Sequence, residues 1–229
     1  MITLDYLNYP RLNSTFGKSV HFMGIDDLRH TNNKTIEKFL TYNYPISYKF
    51  NSRGFRDDEW PTDLSDVIWC VGDSFTTGIG VPYEHTWPFI LQHKLGKRCI
   101  KLGFDGASNQ LIRKVCLQIL NNYESKIIIP MWSFFHRRHK DPWHMLQYDE
   151  NLDPLQDYNL FLDCYREVNK INLSCKIINL LITHQSLSYE LPEDIDLFQT
   201  SIVDTGRDAY HFDYKTAEIY VEHILSKIS

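Results

Sequence analysis

One serine in this chain is placed for nucleophilic chemistry. The apolar run Val67-Ile68-Trp69-Cys70-Val71 ends in Gly72-Asp73-Ser74 and continues as Phe75-Thr76-Thr77-Gly78. Such a run reads as a buried strand whose carboxyl end presents a hydroxyl, and ligands of open α/β sheets bind outside the carboxyl ends of the strands. A serine hydroxyl is a weak nucleophile. It needs a base to take its proton, a third group to hold that base, and donors for the oxyanion. Gly72 allows a sharp turn before Ser74, and Gly78 and Gly80 allow a carbonyl to approach backbone N–H groups. The same residues also fit an ordinary strand-to-helix turn in which Ser74 is the helix N-cap. The tripeptide alone does not separate the two.

A base and its orienter can come from Asp-x-x-His. That spacing puts carboxylate and imidazole on one side of a helical turn or tight loop, where the acid can hold one ring nitrogen. The pattern occurs as Asp27/His30, Asp141/His144 and Asp208/His211. Position separates them. The first pair lies in an irregular N-terminal stretch and the second follows the third expected strand. The third lies in the turn between the end of the sheet and the closing helix, on the rim that also bears Ser74.

The elements that must position these residues read as alternating strands and helices. Strands are expected over Asp66–Val71, Arg98–Leu102, Lys126–Trp132 and Cys175–Thr183, with a fifth within Ile195–Val203. The continuous apolar run Ile127-Ile128-Ile129 suits a strand covered on both faces. Helices are expected over His85–Leu95, Ser108–Tyr123, Pro154–Leu173 and Tyr214–Lys227. In the second of these, Leu111, Ile112, Val115, Leu117, Ile119 and Leu120 recur near helical spacing. The alternation predicts a parallel sheet in a three-layer α/β/α sandwich. Residues 1–64 are polar and irregular, with a short helix expected near Asn33–Tyr42. They read as an N-terminal extension packed on a domain spanning 65–229.

Composition narrows the function. The 229 residues are 43% hydrophobic, enough for one sizeable core, and the formal net charge of −5 gives no basic footprint for nucleic acid. No apolar run approaches the ~20 residues of a membrane span. Met1-Ile2-Thr3-Leu4-Asp5-Tyr6 has neither a basic nor an apolar leader region, so a cytoplasmic location is expected. The five cysteines are scattered through apolar segments and read as reduced, buried thiols. Thr76, Thr77, Gly78 and Gly80 look like part of a phosphate cradle but lack its lysine and its glycine order, so no nucleotide or other cofactor is expected.

Taken together, Gly72-Asp73-Ser74, Gly106 in Leu102-Gly103-Phe104-Asp105-Gly106-Ala107-Ser108-Asn109, and Asp208-Ala209-Tyr210-His211 resemble, in content and order, the blocks of the SGNH (GDSL-type) hydrolases. The upstream segment Asn51-Ser52-Arg53-Gly54-Phe55-Arg56 is similar to a lead-in found in bacterial and viral members. The resemblance covers about residues 48–229. It implies a flavodoxin-like parallel sheet, with Ser74 as nucleophile, His211 as general base and Asp208 as its orienter. It also implies oxyanion donors at the N–H groups of Ser74 and Gly106, ester substrates and no metal.

One block departs from the family. An asparagine that supplies a third oxyanion donor is normally found after the third strand. Here the segment is Pro130-Met131-Trp132-Ser133-Phe134-Phe135-His136-Arg137-Arg138. Ser133 can donate instead, or Asn109 can reach in from the second block. On the same loop, Trp132, Phe134, Phe135 and Trp143 are candidates for a sugar-stacking platform and Arg137 or Arg138 for an acidic sugar or carboxylate; core packing competes for the aromatics. His136, His139 and His144 read as part of a solvated basic loop, not a metal site. Arg56 reads as a structural clasp, with a salt bridge to the domain. The expected substrate is a short O-acyl ester of a carbohydrate, acetyl first, and no nucleic-acid or membrane partner is expected. An inactive glycan-binding relative and an O-acyltransferase are the alternatives.

Overall fold

The computed structural model describes residues 6–7, 19–27, 33–138, 153–171, 174–182 and 191–229. Near the N-terminus, β1 (Ser19–Val20) pairs antiparallel with β2 (Tyr48–Lys49). The remaining strands are β3 (Ile68–Gly72), β4 (Cys99–Gly103), β5 (Ile127–Trp132), β6 (Lys176–Ile177) and β7 (Leu180–Leu181). They form one parallel sheet in the order β4-β3-β5-β6, with β7 also on β5. The first strand of the sheet lies between the second and the third, as in the flavodoxin-like order. The chain therefore winds in opposite senses from β3, which opens a crevice at its carboxyl end.

The helices are α1 (Asn33–Thr41), α2 (Ser74–Thr77), α3 (Trp87–Leu95), α4 (Asn109–Asn122), α5 (Pro154–Lys170) and α6 (Tyr214–Ile228). Strand residues alternate between two cores, as a period of two requires. Trp69, Val71, Ile100, Leu102 and Ile128 face α4 and α5. Ile68, Cys70, Cys99, Ile129 and Met131 face α3 and α6. The result is the three-layer α/β/α sandwich. Helix starts are capped by local oxygens: Ser108 accepts from Leu111 N–H at 3.3 Å, and Asp153, with Pro154 following it, accepts from Leu155 N–H at 3.0 Å.

Two expected strands come out differently. The fourth is split into β6 and β7. Between them Asn179 turns its side chain inward, accepting from Trp132 Nε1 at 3.0 Å and donating to Asn169 at 3.0 Å. No strand forms over 195–203. Phe198 makes only an isolated parallel bridge to Leu180, while Asp196 is held by its backbone to the Tyr165 hydroxyl at 2.9 and 3.1 Å. The Tyr165 hydroxyl thus takes both backbone groups of Asp196, and among the described residues there only Phe198 keeps backbone bonds to the sheet, to Asn179 and Leu181.

Segments ahead of β3 join the same cores. Leu7 and Phe55 are buried against Trp69 and Phe104. The five cysteines are free and buried. Among the described residues no helix is long and apolar enough to cross a membrane.

Candidate active site

The turn after β3 is built by close approach. A Cβ on Gly72 would lie 2.2 Å from Thr76 Oγ1 and 3.1 Å from the Met131 carbonyl, so only glycine fits. Asp73 then caps α2, its Oδ1 accepting the Phe75 N–H at 3.0 Å. The cap is therefore Asp73 and not Ser74, which leaves the Ser74 hydroxyl for another partner. Gly78, with φ +77°, closes the single helical turn.

That partner is His211. Its Nε2 lies 2.8 Å from Ser74 Oγ, across 137 residues of chain. Its Nδ1 lies 2.5 Å from Asp208 Oδ2. The carboxylate makes Nδ1 the protonated nitrogen and leaves Nε2 to accept from the serine. The other oxygen of Asp208 accepts the Tyr210 and His211 N–H groups at 3.0 and 3.1 Å. To fold back this tightly, Ala209 adopts φ 56°, a left-handed conformation otherwise confined to glycines among the described residues. Ser74, Asp208 and His211 are all at most 3% exposed. Phe75 and Tyr210 flank the imidazole, with centroids at 4.6 and 5.2 Å.

The oxyanion side is formed where β4 ends. Phe104 N–H donates to the Gly72 carbonyl at 3.0 Å, which brings the following turn beside Ser74. Gly106 takes φ +72° in that turn. Among the described residues neither the Ser74 nor the Gly106 N–H is spent on another acceptor. Asn109 brackets the backbone of Ser133: its Oδ1 accepts the Ser133 N–H at 2.7 Å and its Nδ2 donates to the Ser133 carbonyl at 3.1 Å. An amide nitrogen carries two protons, so Asn109 keeps one beyond this bond.

Four residues of the third-strand segment do other work than the sequence predicts. The Ser133 hydroxyl donates to Asp73 Oδ2 at 2.7 Å, so its proton is committed and it is not a free oxyanion donor. Arg137 Nη1 donates to the same Asp73 oxygen at 2.6 Å and to Ser133 Oγ at 2.8 Å. Its charge balances a buried acid beside the nucleophile instead of facing an open substrate site, although its buried Nε has no acceptor among the described residues. Trp132 is fully buried, its ring against Phe161 and its Nε1 on Asn179. Strand alternation sends Trp132 into the α5 layer and Ser133 toward the site, so Trp132 offers no stacking surface. Arg138 is drawn to Asp157 on α5 at 2.9 Å.

His139, Asp141, Trp143 and His144, and His30 of the first Asp-x-x-His pair, lie outside the described residues. Among the described residues no group of three or more His, Cys, Asp or Glu side chains is gathered as a metal site. Burial and the nearby Arg137 push His136 below the usual histidine range. Cavities of about 420 and 650 Å³ open elsewhere, around Asp57 and Tyr83 and around Asn122 and Ser174, and no triad residue lines either.

Near the site, the sequence singled out Arg56 as a clasp but assigned it the wrong partner, and it gave no sign of Asp26. Arg56 makes no salt bridge to the domain among the described residues. It donates to the carbonyls of Gly78, Thr77, Val81 and Ser47, pinning the loop after the nucleophile. Asp26 is buried against Arg207, the residue before Asp208. Nothing in the composition around Asp26 signals this.

No family model and no curated protein sequence matches the chain. Solved structures resembling part of it include a point mutant of the esterase AlinE4, with TM-score 0.36 and 17% identity over 56% of this chain and 64% of that one. AlinE4 itself, described as an SGNH-hydrolase family esterase, has TM-score 0.33 and 19% identity over 56% and 63%. BT4096, a gut microbial diltiazem-metabolizing enzyme, has TM-score 0.34 and 12% identity over 73% and 35%. The chain thus spans just under two thirds of the length of the AlinE4 chains it resembles.

Proposed function

We propose that this chain is a serine ester hydrolase of SGNH type. The observation that carries the reading is the unbroken relay from Asp208 through His211 to Ser74, with contacts of 2.5 and 2.8 Å at the carboxyl edge of β3. In this reading Ser74 attacks the ester carbonyl while His211 Nε2 takes the hydroxyl proton, and Asp208 holds the imidazolium that forms. The N–H groups of Ser74 and Gly106 receive the developing oxyanion, and the spare Asn109 amide proton is the third donor in place of the family's asparagine. His211 then returns the proton to the leaving alcohol. A water, activated by the same base, releases the acid and frees Ser74.

The substrate class is a short acyl ester, with an O-acetylated carbohydrate as the first choice. Transfer to a sugar acceptor instead of water is the alternative outcome of the same acyl-enzyme.

A fluorophosphonate probe tests the nucleophile: wild type is labelled and Ser74→Ala is not. With p-nitrophenyl acetate, Asp208→Asn is expected to lower kcat by ~10⁴, the scale set by an orienting carboxylate in a serine protease, and His211→Ala by at least as much. Labelling of Ser74→Ala, or unchanged turnover in His211→Ala, rules the mechanism out. Acyl sugar formed on adding a sugar acceptor identifies the transferase.

A further inference from the structure

Asp26 lies far outside the segments that carry the triad, yet it is among the most completely buried acids of the chain. Arg207 grips it with two bonds, Nε to Oδ1 at 2.8 Å and Nη2 to Oδ2 at 2.5 Å. The Tyr48 hydroxyl donates to the same Oδ2 at 2.6 Å and accepts the Gly80 N–H at 2.9 Å. Burial and the Asp26 charge push the Tyr48 phenol above its usual range, which keeps it a donor. Gly80 in turn accepts the Arg207 N–H at 2.6 Å.

These contacts enclose Asp208. Arg207 precedes it in the chain. Gly80 forms its opposite wall, so close that a Cβ there would lie 2.6–2.8 Å from the carboxylate atoms. The same N-terminal turn also touches the oxyanion loop. A Cβ on Gly24 would lie 3.3 Å from Asp105 Oδ2, next to Gly106, and 3.3 Å from Ile79.

We infer that Asp26 is a positioning residue for the Asp208–His211 pair, and that the segment before β2 completes the active site of the hydrolase proposed above, on which reading this inference rests. Among the described residues no other carboxylate pairs with Arg207. Without the charge of Asp26, the Arg207 guanidinium keeps only the His21 carbonyl, at 2.7 Å, as an acceptor among the described residues, and the turn that carries Asp208 moves with it. A buried charge that loses its partner does not stay in place.

The test uses the full chain with Asp26→Asn and Asp26→Glu, and two readouts. Proton NMR follows the low-field resonance of the His211 Nδ1–H held by Asp208, which needs no turnover. Steady-state kinetics with p-nitrophenyl acetate separates kcat from KM. Folded Asp26→Asn is expected to lose or shift that resonance and to lose up to ~10²-fold in kcat, the cost of displacing a catalytic group by about 1 Å, with KM within about twofold. Asp26→Glu restores part of both. An Asp26→Asn protein that is folded, keeps the resonance and keeps kcat overturns the proposal, even with a lowered Tm. Should Asp26→Asn not fold, Tyr48→Phe removes two bonds of the same network, to Asp26 and from Gly80; the same resonance is expected to shift, and an unchanged resonance is equally decisive against the proposal. If the wild type hydrolyses no ester, the hydrolase reading fails while the NMR arm still decides the positioning.

Discussion

Within Gly72-Asp73-Ser74 the work is divided by side chain. Asp73 takes the structural duties, capping α2 and binding Ser133 and Arg137, and so frees Ser74 to face His211. Across the site, the tight fold-back of Asp208 onto His211 runs through Ala209 at φ 56°. For a residue with a Cβ this conformation costs roughly 1–2 kcal/mol, while glycine at an ordinary position costs about 0.5–1 kcal/mol in chain entropy. Ala209→Gly is therefore expected to leave stability unchanged or raise it by up to ~1 kcal/mol. Ala209→Val, branched at Cβ, is expected to lower it by more than ~1 kcal/mol. Urea unfolding of the three proteins checks the order.

Among the elements, β4 carries the least expected side chain. Lys101 is buried mid-strand, with Nζ 4.0 Å from the centre of the Tyr83 ring and 3.5 Å from Thr86 Oγ1. Burial first, and the Arg56 charge second, push its ammonium well below the usual lysine range. Between the depressed folded value and the ordinary value of 10.5, the unfolded chain holds a proton that the folded chain does not, so stability from this group rises with pH. Below the folded value the group charges in both states and the full desolvation cost remains. Lys101→Met, of similar length and apolar, is expected to raise Tm at neutral pH. Its advantage over wild type should shrink as pH rises toward 10.5. A gap that widens with pH would show that the ammonium is stabilising where it lies.

At the scale of the molecule, the region before the sheet is fastened at several separate points. Leu7 enters the core shared with Trp69 and α4, and the Tyr6 N–H donates to Gln118 Oε1 at 2.9 Å. Arg56 gathers carbonyls from Ser47 and from the loop after the nucleophile. Asp26 reaches Arg207. Leu7→Ala is expected to destabilise by ~2–5 kcal/mol, the range for removing a buried leucine side chain. A denaturation midpoint unchanged from wild type would show that residues 6–7 contribute nothing to the fold.

Local patterns made much of this protein legible before any coordinates. The apolar run ending at Gly72-Asp73-Ser74, the helical stripe from Leu111 to Leu120 and the i,i+3 spacing of Asp208 and His211 are each readable within a few residues, because burial and backbone geometry impose their period on neighbours in the chain. Those patterns determined the α/β class, the order of the main elements and the serine, histidine and aspartate that meet at the sheet edge. Tertiary structure alone decided which side chains meet. It turned Trp132 into the core, tied Ser133 and Arg137 to Asp73, broke the fourth strand at Asn179 and withheld the fifth. It also joined Asp26 to Arg207 across 181 positions. Such contacts depend on how layers stack, and a pair so far apart leaves no periodic trace in the chain that encodes it.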